Sequence, residues 1–167
     1  MSNFDEERIE KYRGLFNFHD LFDVVLLAGY RGKYGATKAH HDFYGSIGKA
    51  IDSLGKTTFL PHRHLIGKSD DDSMGILTQI VMPKADIILE YDGVDDPIYF
   101  AARNAYLMNA FRPNTEGKKI INIYEKYGPL YKDHGQRAEE WNTVSLASPE
   151  ESIERVLRIV RDFYSKR

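Results

Sequence analysis

Asp23-Val24-Val25-Leu26-Leu27-Ala28-Gly29-Tyr30-Arg31-Gly32-Lys33-Tyr34-Gly35 sets the pattern for the whole chain. Residues 24–28 form an unbroken apolar run, which predicts a strand buried on both faces, as in parallel sheets. Residues 29–35 carry Gly29, Gly32 and Gly35, with Arg31 and Lys33 between them, and predict a turn. Thr37 has the chemistry to cap a helix that runs to Leu54. Strand, glycine turn and helix in that order aim backbone N–H groups and a helix N-terminus at an anion. The plainer alternative is a glycine turn that joins two elements and holds no ligand.

Downstream the same layering repeats. The helix after the turn carries Ala39, Phe43, Ile47, Ala50, Ile51 and Leu54 on one stripe, and Gly55 is a natural stop. Gly45 and Gly48 within it predict close packing against the sheet. Residues 57–60 predict a second strand closed by Pro61, followed by His62-Arg63-His64. Residues 66–73 read as a polar loop and 74–82 as a short helix. Residues 85–89 predict a third strand, and 90–96 an acidic loop. Asp96 and Pro97 read as N-cap and first residue of a helix to about Ala110. Residues 119–124 predict a fourth strand and 143–146 a fifth, at the edge. Ser148-Pro149-Glu150-Glu151 is a capping box for a last helix that buries Ile153, Val156, Leu157, Val160 and Tyr164. Strands alternating with helices imply a three-layer α/β fold of the Rossmann or flavodoxin type, with about five mostly parallel strands and helices on both faces. Ser2 with Asp5 predicts a short N-terminal helix, so the expected division is a helical extension over 1–22 and one α/β domain over 23–167.

Composition removes several function classes. A chain of 167 residues suits one domain with a substantial core. A formal net charge of −2 offers no general attraction to nucleic acid. The chain has no cysteine, which excludes disulfides, thiolate catalysis and cysteine metal sites. It lacks an apolar run of about 18 residues and starts with an acidic segment, so no membrane association and a cytoplasmic location are expected.

In sheets of this type, ligands sit outside the C-terminal strand ends where the strand order reverses. The loops in question are 29–35, 62–64, 90–96 and the one after Tyr124. Arg31, Lys33, Lys38 and Arg63 map there and form a local basic patch that suits a phosphorylated ligand. His40 and His41 stand in the first turn of a helix, where they would either help bind the same phosphate or, as is commoner, face solvent. His62 and His64 share a face if that segment is extended, yet a pocket wall is the better reading of them than a metal site. No cofactor or metal is expected. Trp141, Tyr124, Tyr127 and Tyr131 are either stacking platforms for a base or ordinary packing.

Val25-Leu26-Leu27-Ala28-Gly29-Tyr30-Arg31-Gly32, the helix ending Leu54-Gly55-Lys56, and the strand ending Pro61-His62 resemble the nucleoside 2-deoxyribosyltransferase-like superfamily. Ala85-Asp86-Ile87-Ile88-Leu89, the acidic loop and Lys118-Lys119-Ile120-Ile121 extend the resemblance over most of residues 23–165. The Gly29-Tyr30-Arg31-Gly32 turn is most similar to the branch that hydrolyses nucleoside 5′-monophosphates at the N-glycosidic bond. The resemblance implies a nucleoside or nucleoside monophosphate as partner. It implies a phosphate or substrate site at Gly29, Tyr30, Arg31, Gly32, His62, Asp92 and Asp95, and a homodimer or higher homo-oligomer that completes each pocket.

One departure bears on the chemistry. The family's catalytic glutamate falls on Ala101, and a second family carboxylate falls on Thr78. Alanine supplies no nucleophile. Another carboxylate has taken over, or the chain binds without cleaving, or the alanine is a substituted residue. Breaking an N-glycosidic bond passes through an oxocarbenium-like centre that a carboxylate stabilises or attacks. Glu90, at the end of the third strand, is the leading replacement, with Asp95 second; Asp96 reads as a helix cap. Three functions remain in view: an N-glycosidase or deoxyribosyltransferase, an inactive nucleotide-binding or regulatory relative, and an NAD-cleaving TIR-like domain.

Overall fold

A computed structural model describes residues 22–108, 117–127, 143–147 and 149–167. Five strands are defined there: β1 (Val24–Ala28), β2 (Thr58–Phe59), β3 (Ile87–Tyr91), β4 (Lys119–Tyr124) and β5 (Thr143–Ala147). They form one sheet in the order β2-β1-β3-β4-β5, and every neighbouring pair is parallel. The apolar run that opens the chain's pattern is therefore a central strand, with all five residues buried. Chain direction across the sheet reverses between β1 and β3. At that point Ala28 lies opposite Tyr91, and Tyr91 lies opposite Ile123.

Period-2 alternation sorts each strand between two cores. Val25, Leu27, Phe59, Ile88 and Ile120 face one side. There they meet α2 (Pro61–His64), α3 (70–84) and α4 (97–108). Val24, Leu26, Ile87, Leu89, Ile121, Ile123 and Leu146 face the other side, under α1 (Lys38–Asp52) and α5 (Pro149–Ser165). α1 begins where Thr37 accepts the His40 N–H and His40 Nδ1 in turn accepts the Thr37 N–H at 2.9 Å. Gly48 lies against Leu60; a Cβ there would come within 2.9 Å of a Leu60 methyl. α4 begins at Pro97, with Asp96 as its cap.

The middle of α3, Ile76–Val81, and the second half of α4, Arg103–Met108, are wound as π-helix. Among the described residues, no helix is long and apolar enough to cross a membrane.

Some boundaries differ from the sequence expectation. β3 starts at Ile87 because the Ala85 N–H is still bonded to Val81 O, while the Asp86 and Ile87 N–H groups both go to Asp23 O. Glu90 therefore lies inside the strand, and the acidic loop begins at Asp92. The expected polar loop 66–73 is helical from Asp70. Ser69 accepts the Asp72 N–H, and Asp70, Asp71 and Asp72 sit in the first turn, where the helix dipole favours negative charge. Residues 61–64 form a helical turn with Pro61 at its start, not an extended segment, so His62 and His64 do not share a face. The predicted N-terminal helix, residues 128–140, Trp141 and Ser148 lie outside the described residues.

Candidate functional site

The C-terminal ends of β1, β3 and β4 are tied together by carboxylates. Gly29 lets the first turn approach the loop after β3; a Cβ on it would lie 2.8 Å from Val94 and Asp96 carbons. Asp96 fills the contact, with no solvent exposure. Its Oδ1 accepts the Ile98 N–H at 3.0 Å, which caps α4. Its Oδ2 accepts the Tyr30 and Arg31 N–H groups at 3.3 Å each. Arg31 closes a two-point pair on the same carboxylate, with Nη2 to Oδ1 at 2.7 Å and Nε to Oδ2 at 3.1 Å. Burial by itself would raise the pKa of Asp96. The Arg31 guanidinium and the Ile98 and Tyr30 N–H groups outweigh it and hold the carboxyl below its ordinary value.

The anion in the glycine turn is therefore the chain's own Asp96. The turn's carbonyls are also engaged. Tyr44 Oη donates to Gly29 O at 2.6 Å, and His41 Nε2 donates to Tyr30 O at 2.8 Å. Arg31 Nη1 reaches outward to Asp70, which is 67% exposed, at 2.6 Å. Its guanidinium also lies over the Tyr34 ring at 4.5 Å.

Asp92 does for β4 what Asp96 does for β1. It is buried, and it accepts the N–H groups of Glu125, Lys126 and Tyr127, the last two at 2.9 and 2.8 Å. This fixes the loop that leaves β4.

Glu90 lies deeper, with no exposure, on the α4 side of the sheet. Asn122 Nδ2 donates to its Oε2, and Arg103 Nε stands 3.6 Å from its Oε1. Among the described residues, neither that oxygen nor that nitrogen has a hydrogen-bond partner. Burial pushes the Glu90 pKa up to about 8; Arg103 offsets this in part, and Asp92 adds to it. Glu90 is sealed from solvent, which is the wrong property for a nucleophile that meets a sugar.

The outer rim is built from exposed groups. Asp95 Oδ2 takes Lys126 Nζ at 2.8 Å, and its Oδ1 takes Tyr127 Oη. The Tyr127 ring is 48% exposed and stands edge-on to Phe100 at 5.5 Å. Ala101 is exposed on α4, on the same side as exposed Ala105. His40, at the start of α1, lies 6.3 Å from the Tyr91 ring. His62 stacks on His41 at 5.1 Å, and burial followed by the neighbouring His41 lowers its pKa to about 4. His64 turns away: its Nδ1 accepts the Leu60 N–H at 2.9 Å, and its ring stacks on Phe59. Among the described residues, no group of His, Asp and Glu side chains gathers in a way that would hold a metal.

Gly29, Tyr30, Arg31 and Asp96 thus come together at the reversal point, whereas Asp92 and Asp95 bond to the loop after β4, Glu90 lies inside β3 and Ala101 is exposed on α4. Sequence reasoning passed over Glu125 and Tyr91. Tyr91 Oη donates to Glu125 Oε2 across β3 and β4. The available signal was positional: Glu125 is the first residue past β4, at a strand end. A cavity of about 410 Å³ lined by Lys119, Val144, Ile159, Phe163 and Lys166 lies at the opposite end of β4 and includes none of these groups.

Among solved structures, the chain is similar to one titled the structure of Clostridium botulinum CMP N-glycosidase, BcmB. The TM-score is 0.49 at 15% sequence identity, covering 80% of this chain and 95% of that chain. No protein-family model matches the chain, and no curated protein matches it.

Proposed function

We propose that this chain recognises a nucleoside or nucleoside 5′-monophosphate across the ends of β1 and β3 and acts at its N-glycosidic bond. One observation carries the reading: at the point where strand order reverses, the glycine turn and the acidic loop are locked together, and beyond that lock stand exposed charged and aromatic side chains, Asp70, Asp95, Lys126 and Tyr127. The phosphate would be held by Arg31. Asp96 keeps one edge of the guanidinium in place, and an incoming phosphate replaces the exposed Asp70 on Nη1. Tyr127, half exposed against Phe100, offers a face for the base.

A second reading, binding without cleavage, is favoured by the exposure of Ala101 and the burial of Glu90. The resemblance puts the nucleophile at Ala101, and the leading replacement is out of reach of solvent. Incubation with a panel of nucleosides, nucleoside monophosphates and NAD, with chromatography for free base, separates the readings. Base released from a nucleoside or monophosphate is the expected result. Saturable binding of a monophosphate with no base released over many hours would establish the second reading instead. Nicotinamide released from NAD would favour the TIR-like alternative.

A further inference from the structure

Glu90, Asp92, Asp95, Asp96 and Glu125 stand along or just past the ends of β3 and β4, and their contacts leave Glu125 as the one carboxylate with an open oxygen on an exposed side chain. Asp92 and Asp96 are consumed by backbone N–H groups and Arg31, Glu90 is sealed, and both oxygens of Asp95 are occupied. Glu125 is exposed, and among the described residues only its Oε2 is engaged, by Tyr91 Oη.

The surroundings hold Glu125 in one place. Its backbone N–H is fixed by buried Asp92, as are those of the next two residues. Tyr91 is buried among Phe43 and Tyr44, at 5.4 and 5.9 Å between ring centres. Its hydroxyl passes over Gly93, where a Cβ would lie 2.0 Å from it, so residue 93 must lack a side chain for Tyr91 to reach Glu125. Burial, and then the bond to Glu125, push the ionisation of Tyr91 upward, so its hydroxyl stays a donor to the carboxylate. His40 stands alongside. Its Nδ1 accepts the Thr37 N–H, which leaves the ring proton of the neutral form on Nε2. Burial lowers the His40 pKa, with the Glu125 charge acting against it.

We propose that Glu125 is the carboxylate that meets the sugar carbon when the N-glycosidic bond breaks, with Tyr91 and Gly93 as its positioning residues. This rests on the cleavage reading given under Proposed function. Glu125 Oε1 stabilises or bonds to the anomeric carbon as the C–N bond breaks, and the electron pair leaves with the base nitrogen, which takes a proton. Water then attacks the carbon and breaks the Glu125–carbon bond where one has formed; its hydroxyl stays on the sugar, its proton makes good the one that solvent gave to the base, and Glu125 is freed as a carboxylate. The sum is one water consumed, with free base and free sugar or sugar phosphate formed.

The test measures base release by the full chain, its Glu125→Gln, Glu125→Asp and Tyr91→Phe variants, and the pH dependence of each. Glu125→Gln is expected to lower kcat by about 100-fold or more, with KM changed by less than about threefold. Glu125→Asp keeps the charge one methylene short and should retain partial activity. Tyr91→Phe should lower kcat less than Glu125→Gln and leave KM unchanged, a split that a purely structural tyrosine would not give. If the parent releases base and Glu125→Gln or Glu125→Asp matches it, Glu125 is not the group, and the cleavage reading survives. If the parent releases no base from any substrate, the cleavage reading and this assignment fall together.

Discussion

Asp96 and Glu90 are both carboxylates with no solvent exposure, on one strand-loop unit, and their pKa values are pushed in opposite directions. Asp96 has three backbone N–H groups and a two-point guanidinium around it, and its pKa is held down. Glu90 has one amide and an arginine that stops 3.6 Å short, and its pKa is pushed up to about 8. Burial is common to both, so burial is not what separates them. The difference is the number of donors that replace water. A carboxylate at a strand end can collect N–H groups that turns and helix starts leave unpaired. A carboxylate in mid-strand cannot, because the ladder has already used its neighbours' N–H groups.

The comparison is sharpest at Asp96. Asp96→Ala removes the α4 cap and leaves Arg31 without its buried partner. It should cost about 3–5 kcal/mol in urea unfolding. A loss under about 1 kcal/mol would mean that the lock between the glycine turn and α4 is not a main support of the fold.

A smaller effect of opposite sign is expected at Glu90. Its folded pKa lies above its ordinary 4.5, so the folded chain keeps a proton that the unfolded chain loses. The associated stability is fully present below pH 4.5 and drains away as pH rises toward about 8. Glu90→Gln cannot ionise and is free of that loss. Relative to the parent, the variant should gain on the order of 2–4 kcal/mol between pH 5 and pH 8.5. A parent-to-variant difference that stays constant over that interval would show that Glu90 is charged in the fold and fully paired with Arg103.

The smallest effect belongs to Asp95, an exposed carboxylate that also has two partners. Solvent screens such pairs, so Asp95→Asn should leave the thermal midpoint where it was. A clear drop on calorimetry would show that partner number matters at the surface as well, and would weaken the contrast drawn between the two buried groups.

Much of this was legible in the chain. Val24–Ala28 and Lys119–Tyr124 announce buried strands because a parallel strand covered on both faces has no polar side to show. Thr37 and Asp96 announce helix starts because their oxygens meet N–H groups that the helix itself leaves unpaired. The glycine turn was visible too, and so was its appetite for an anion. What filled it was not visible. Asp96 is distant from Tyr30 in sequence and reaches its N–H group only because β1 and β3 are neighbours. Glu125 was legible only by its position just past β4; its partner Tyr91 lies one strand away, and that pairing was not.

The sequence by itself determined the layering, the buried strands and the helix caps, because these depend on periodicity and on hydrogen bonds between near neighbours. Only the tertiary structure decided which carboxylate is locked, which is sealed and which is left open. That outcome depends on how many donors arrive from other strands and loops, and strand order brings them together across long separations in the chain.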